Sequence, residues 1–177
     1  MSASQKTSKQ WHFRAVLFFQ VLALACVLTP LRAAEEIPEK DYLKLEQKLK
    51  TTTDAIRKVK ILIKLSDFQL HVAALKVKKT DFTEADQYLS RYLETIVQTQ
   101  EILKSSGRNA QKNPAGFKDF EIALKRQLRA LEDLRSAYPY EQAEKVNGTI
   151  QDAKAAQEYM LLQIFGQGNI VHRKETK

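Results

Sequence analysis

The chain has 177 residues, of which 44% are hydrophobic, and a formal net charge of +8. Its five glycines and four prolines supply too few turn residues for an all-β sandwich. Its single cysteine excludes an internal disulfide framework and any multi-cysteine metal site. The composition therefore indicates one globular domain that apolar packing holds together.

Residues 1–33 have the pattern of a secretory signal peptide. Residues 1–14 carry basic side chains and no acidic one, and residues 15–31 form an apolar run that small residues follow. We expect cleavage after Ala33, which would remove the only cysteine, Cys26, together with four basic residues, half of the net charge. The protein would then be exported, either to a periplasm or out of the cell. The alternative is an uncleaved segment that anchors the protein in a membrane.

An unbroken seven-residue spacing of apolar side chains predicts a long first helix. The spacing is typical of supercoiled helices and joins Tyr42, Leu49, Ile56, Ile63, Leu70 and Val77. Such a helix would measure roughly 54 Å at 1.5 Å per residue. A new helix starting at Ser66 is the alternative, since Ser66 and Gln69 fit a capping box. The unbroken register favours one continuous helix.

Three shorter helical patterns follow the first. Asp81, with Glu84 three residues later, predicts the N-terminal cap of a helix that ends at Ser105. Further helices are predicted over residues 117–138 and from about residue 140 to residue 166.

These patterns predict an all-α fold, an antiparallel helical bundle of about four helices with a long first helix, preceded by the signal peptide. The short connections make successive helices antiparallel neighbours, in an up-down-up-down bundle or as two stacked αα-hairpins. The bundle is expected to span residues 34–168, and residues 169–177 are expected to form a polar tail.

Residues 78–93 resemble the inter-helix turn of a tetratricopeptide-type hairpin, with Phe82 and Ala85 at its aromatic and small positions. The likeness covers one hairpin. Tyr92 stands where a small residue belongs, Val97 replaces the usual proline, and no 34-residue repeat follows. We interpret the resemblance as shared hairpin geometry.

The sequence contains no motif that points to catalysis or to a cofactor. The GxSxG, SxxK and HExxH patterns are absent, as are a glycine-rich phosphate loop and a haem-attaching CxxCH. Asp67 and His71 lie one helical turn apart, but two ligands do not make a metal site, and a partly buried structural histidine is the simpler interpretation. We therefore expect no enzymatic activity, no metal and no cofactor.

The leading functional hypothesis is a non-enzymatic scaffold or protein-interaction module of the cell envelope or periplasm. The first half of the long helix would extend beyond the region that the later helices cover. Its apolar seam, formed by Tyr42, Leu45, Leu49 and Ile56, is therefore expected to dock a protein partner or a second copy of the chain.

The alternative hypothesis is a binder of anionic surfaces, such as lipid headgroups or polyanions. Basic residues along the first helix would form a stripe on its outer face, made of Arg57, Lys58, Lys64, Lys78 and Lys79. A nucleic-acid partner is not expected, because no aromatic residues interleave with the basic ones. A competing interpretation pairs this stripe with the acidic residues of the following helix, at no more than about 1 kcal/mol per exposed pair.

Overall fold

The computed structural model describes residues 39–166, and every regular element in that range is helical. The five α-helices are α1 (Glu39–Thr51), α2 (Ala55–Lys78), α3 (Phe82–Ser105), α4 (Phe117–Ser136) and α5 (Glu144–Phe165), and a 3-10 turn (Tyr140–Gln142) precedes α5. The prediction of an all-α bundle is confirmed. The predicted signal peptide, residues 1–33, and the predicted tail, residues 169–177, lie outside the described residues.

The single long first helix predicted from the heptad spacing is wrong, because the chain breaks between α1 and α2. The hydroxyls of Thr51 and Thr52 donate to the carbonyl of Lys48 at 3.2 and 2.6 Å, so the last turn of α1 is satisfied locally. Asp54 has an extended backbone, and its Oδ1 accepts the N–H of Arg57 at 2.8 Å, which caps the start of α2. Successive β-branched threonines at this point also disfavour a continuous helix.

The capping-box pattern at Ser66 does not start a helix. Helix α2 runs through Ser66, whose Oγ donates to the carbonyl of Ile63 at 2.9 Å. The expectation of a continuous helix at this point is confirmed. The cap of α3 is also confirmed, since Asp81 Oδ1 accepts the N–H of Glu84 at 3.1 Å.

Helix α1 folds back along α2, and the two helices form a small hairpin. The ring of Tyr42 packs on that of Phe68 with 4.9 Å between centroids. Further along, Leu45 and Leu49 pack against a small cluster of buried residues, which is made of Ile61, Leu62 and Leu65. The contacts run antiparallel, and none of residues 40–51 is fully buried.

The other four helices form two αα-hairpins that pack side by side. Helix α2 packs on α3 and α4 packs on α5, while α2 also contacts α4 and α3 also contacts α5. The ion pairs Lys60–Asp119 and Asp67–Arg126 join α2 to α4 in increasing order, so these two helices run parallel. The bundle therefore has one layer of α2 and α4 and a second layer of α3 and α5.

The core between the hairpins is apolar around one buried polar network. Large side chains with no more than 1% exposure fill it, among them Phe120, Leu124, Leu131 and Met160. The hydroxyl of Tyr92 donates to Gln127 Oε1 at 3.3 Å, and Gln127 Nε2 donates to Ser66 Oγ and to Asp67 Oδ1, both at 2.8 Å. This network fixes α4 against α2 and α3, because its members come from all three helices.

Gly116, which precedes α4, allows the loop after α3 to close over the start of α2. Its φ is +84°, and a Cβ atom there would lie 2.6 Å from Ile56 Cδ1 and 3.2 Å from Leu103 Cδ2. The loop therefore packs directly on Ile56, and only a glycine at position 116 allows this close approach.

Candidate functional site

The predicted apolar docking seam is divided by the break between α1 and α2. Tyr42, Leu45 and Leu49 lie on α1, are half-buried, and pack against α2 of the same chain. Ile56 lies on α2 and packs under Gly116. The four residues thus do not form one continuous surface, and docking a partner on the first three requires α1 to leave α2.

The predicted basic stripe is also divided. Arg57 and Lys64 share the exposed face of α2, whereas Lys58 lines a separate groove between α1 and α3. Lys78 ends α2 and Lys79 follows it, roughly 21 Å along the helix from Lys64 at 1.5 Å per residue. The stripe therefore reduces to Arg57 and Lys64 at one end of the helix.

These two residues belong to a cleft of about 580 Å³ at the junction of α1 and α2, which we call the joint cleft. Its lining is basic, with Lys48 from α1 and Arg57, Lys60 and Lys64 from α2. Neither Lys48 nor Lys60 belongs to the basic stripe predicted from the sequence. In a continuous helix Lys48 would lie roughly half a turn away from Arg57, on the opposite face. The chain reversal between α1 and α2 brings it to the same side.

The positive charge of the joint cleft is only partly compensated. Lys60 Nζ lies 3.8 Å from Asp119 Oδ2, and both side chains are exposed, so the attraction within this pair is weak. Within residues 39–166, Lys48, Arg57 and Lys64 form no ion pair. Asp54 is the one acidic residue among those lining the cleft, and its Oδ1 already caps α2.

The rest of the cleft lining is apolar or hydroxylic. Leu45 and Ile61 contribute apolar surface. The Thr51 and Thr52 hydroxyls donate to backbone carbonyls and keep only their acceptor lone pairs. The hydroxyl of Thr53 has no hydrogen bond within the described residues and is exposed, so it is an available donor. Such a lining suits an anion that also carries an apolar portion.

Charge is distributed unequally between the two layers of the bundle. Helix α2 carries six basic residues and one acidic residue, and α4 carries five and four. Helix α3 carries four acidic and two basic residues, and α5 carries three and two. The α2/α4 layer is therefore basic and the α3/α5 layer is acidic.

The expected pairing of basic α2 with acidic α3 occurs near their connecting turn. Lys76 Nζ lies 2.6 Å from Glu84 Oε2, and this hydrogen bond raises the pKa of Lys76. At the other end of α2, Arg57, Lys58 and Lys64 have no ion pair within the described part of the chain. Pairing inside the bundle thus leaves the charge at the joint cleft available.

A second concavity, of about 700 Å³, lies between the starts of α3 and α5 and is acidic. Its lining includes Asp86, Glu141, Glu144 and Asp152. In residues 39–166 no three His, Cys, Asp or Glu side chains are placed to hold a metal ion. Asp67, which the sequence placed one turn from His71, accepts two hydrogen bonds from Arg126 Nη2 at 2.8 and 2.6 Å.

Compared with known protein families, curated proteins and solved structures, the chain shows no match. Among the helices that the structure describes, none combines the length and the hydropathy that crossing a membrane requires. The joint cleft is thus the feature of the molecule that points to a function.

Proposed function

We propose that this protein is a non-enzymatic helical binding module that attaches to anionic partners through the basic face around the joint cleft. The observation that carries the proposal is the convergence of Lys48, Arg57 and Lys64, three cations without an ion pair in the described residues. Cations grouped on one face raise the local concentration of anions and speed their encounter with the protein.

Binding to vesicles tests this proposal. The protein is expected to bind vesicles containing phosphatidylglycerol at low salt, to release them as salt rises, and to ignore neutral phosphatidylcholine vesicles, because the interaction is electrostatic. The double variant Arg57→Glu, Lys64→Glu should lose most of this binding.

A matched control separates a local site from net charge. The double variant Lys78→Glu, Arg135→Glu changes the charge by the same amount, but both residues lie at the opposite end of the bundle. It should retain most of the binding. Absence of binding at low salt, or an equal loss in both variants, would contradict the proposal.

Export is part of the proposal and rests on the signal-peptide pattern of residues 1–33. An exported binding module would meet lipid headgroups or envelope polymers, which are largely anionic. The mass of the mature protein isolated from its host is expected to correspond to a chain that starts at Ala34. A full-length mass together with membrane association would support the uncleaved anchor instead.

Docking of a protein partner or a second copy on Tyr42, Leu45 and Leu49 stays a separate hypothesis. It requires α1 to leave α2, because these side chains pack there. Sedimentation over a range of protein concentrations, with Leu49→Lys as the variant, tests the version in which the chain pairs with itself. A monomer at all concentrations would exclude it.

A further inference from the structure

We infer that the joint cleft is a binding site for a phosphate monoester, and that its occupation fixes α1 onto α2. The inference rests on the proposed function, since it assigns a place and a ligand class to the binding of anions. Three features of the cleft support it: the four cations, the unpaired hydroxyl of Thr53, and the origin of the lining residues in two different helices.

The ligand class follows from the charge and the donors of the lining. Four basic side chains line the cleft with one acidic residue, Asp54, and within the described residues only Lys60 pairs with a carboxylate outside the lining, that of Asp119, so a dianion gains more here than a monoanion. The guanidinium of Arg57 presents parallel N–H groups that match two phosphate oxygens, and ammonium groups such as that of Lys48 act as point charges on the same group. The cleft volume of about 580 Å³ is in the usual range for small ligands.

The effect on α1 follows from where the lining residues lie. Lys48 is in the last turn of α1, while Arg57, Lys60 and Lys64 belong to α2. Like charges from Lys48 and from the α2 side chains therefore face each other across the contact between the two helices, where none of residues 40–51 is fully buried. A bound dianion replaces this repulsion by attraction from both sides, so binding and docking of α1 favour each other.

Phosphate monoesters occur both in lipid headgroups and in soluble compounds, and the two sources need separate probes. Glycerol 3-phosphate represents the soluble form, and vesicles containing phosphatidic acid represent the lipid form. For each probe the dissociation constant and the hydrogen exchange of residues 39–51 in the full chain are measured together. Binding of either probe with slower exchange in α1 supports the inference.

The chain offers a matched control for the cleft. Lys48→Gln with Arg57→Gln removes two charges from the joint cleft, whereas Lys50→Gln with Lys58→Gln removes two from the groove on the other side of α1. The first pair is expected to weaken binding of the probe on the order of tenfold or more, and to abolish the protection of α1. The second pair is expected to change the affinity by less than about twofold.

A third variant has the opposite sign. Asparagine caps helices about as well as aspartate, so Asp54→Asn keeps the start of α2 intact and removes the one negative charge of the lining. It is expected to tighten binding of glycerol 3-phosphate several-fold without changing the unfolding midpoint. A purely structural role of the cleft residues predicts no such gain.

The outcomes separate this inference from the proposed function. An equal loss in both double variants, or unchanged exchange in α1 when a probe is bound, would overturn the site while vesicle binding through the basic face stands. Failure of both phosphate probes, with binding to phosphatidylglycerol vesicles retained, would likewise overturn the phosphate site alone. Failure of all probes at low salt would overturn both proposals.

Discussion

Helix α1 and helix α4 are both amphipathic, yet they are held in very different ways. Helix α4 places eight buried residues in the core and takes part in the network around Gln127. None of residues 40–51 in α1 is fully buried, and this helix packs on one side of α2 through the tilted contact of Tyr42 with Phe68 and through two leucines. The difference indicates that global stability belongs to the four-helix body, and that α1 is the part whose position a ligand can change.

The largest expected effect comes from the core of the body. Leu124 is completely buried on α4. Leu124→Ala is expected to lower the free energy of unfolding by about 2–5 kcal/mol, because it removes apolar contacts and leaves a cavity. Denaturant unfolding followed by circular dichroism measures this effect. A loss below about 1 kcal/mol would contradict the assignment of α4 to the core.

Gly116 tests the contact between the loop before α4 and the start of α2. Gly116→Ala is expected to cost about 2–4 kcal/mol, because it combines a strained positive φ with a clash against Ile56. Gly107→Ala is the control, since Gly107 also has a positive φ, +65°, but no atom lies within 4 Å of its added Cβ. It is expected to cost about 1–2 kcal/mol. Equal losses in the two variants would show that Ile56 yields without cost.

Alkaline pH separates buried tyrosines from exposed ones. Burial raises the pKa of Tyr92, and burial and the hydrogen bond to Asp86 raise that of Tyr138, above the ordinary value of 10.0. The unfolded chain therefore loses these protons first, so stability is unaffected below about pH 10 and falls as the pH rises further. Unfolding midpoints measured across this range should fall less steeply in Tyr92→Phe. Tyr140→Phe is the control, because Tyr140 is 97% exposed.

The smallest expected effect on global stability comes from α1. Leu45→Ala removes part of a half-buried side chain and is expected to cost about 1 kcal/mol or less. The same change should raise the rate of hydrogen exchange throughout residues 39–51, because this helix opens separately from the body. A loss as large as that of Leu124→Ala would mean that α1 unfolds together with the other helices.

Local sequence signals were sufficient to predict several elements of the fold. Asp81 with Glu84 indicates the start of α3, and the loop before Phe117 separates the two hairpins. Such signals are readable because a cap depends on a few neighbouring residues. The break before α2 was missed, although Asp54 caps it in the same way. The heptad spacing continues across that break because both positions need an apolar side chain. Leu49 packs from α1 against α2, and Ile56 packs from α2 against the main core.

The candidate site could be predicted only in part, because the sequence patterns did not reveal the break before α2. Arg57 and Lys64 share a helix face and could be grouped from their spacing. Lys48 could not be grouped with them, because helical periodicity places it on the opposite side of an unbroken helix. Its role depends on a chain reversal between α1 and α2, where the hydroxyls of Thr51 and Thr52 donate hydrogen bonds and the carboxylate of Asp54 accepts one.

The sequence by itself determined that the regular elements of residues 39–166 are helices, which faces of α2 to α5 are apolar, and where most helices begin, because periodicity and caps are local properties of the chain. The tertiary structure decided how the hairpins stack, that basic and acidic helices form separate layers, and that α1 turns back on α2. Bringing Lys48 beside Arg57 and Lys64 required that reversal, because side chains on opposite faces of one helix cannot converge on one ligand.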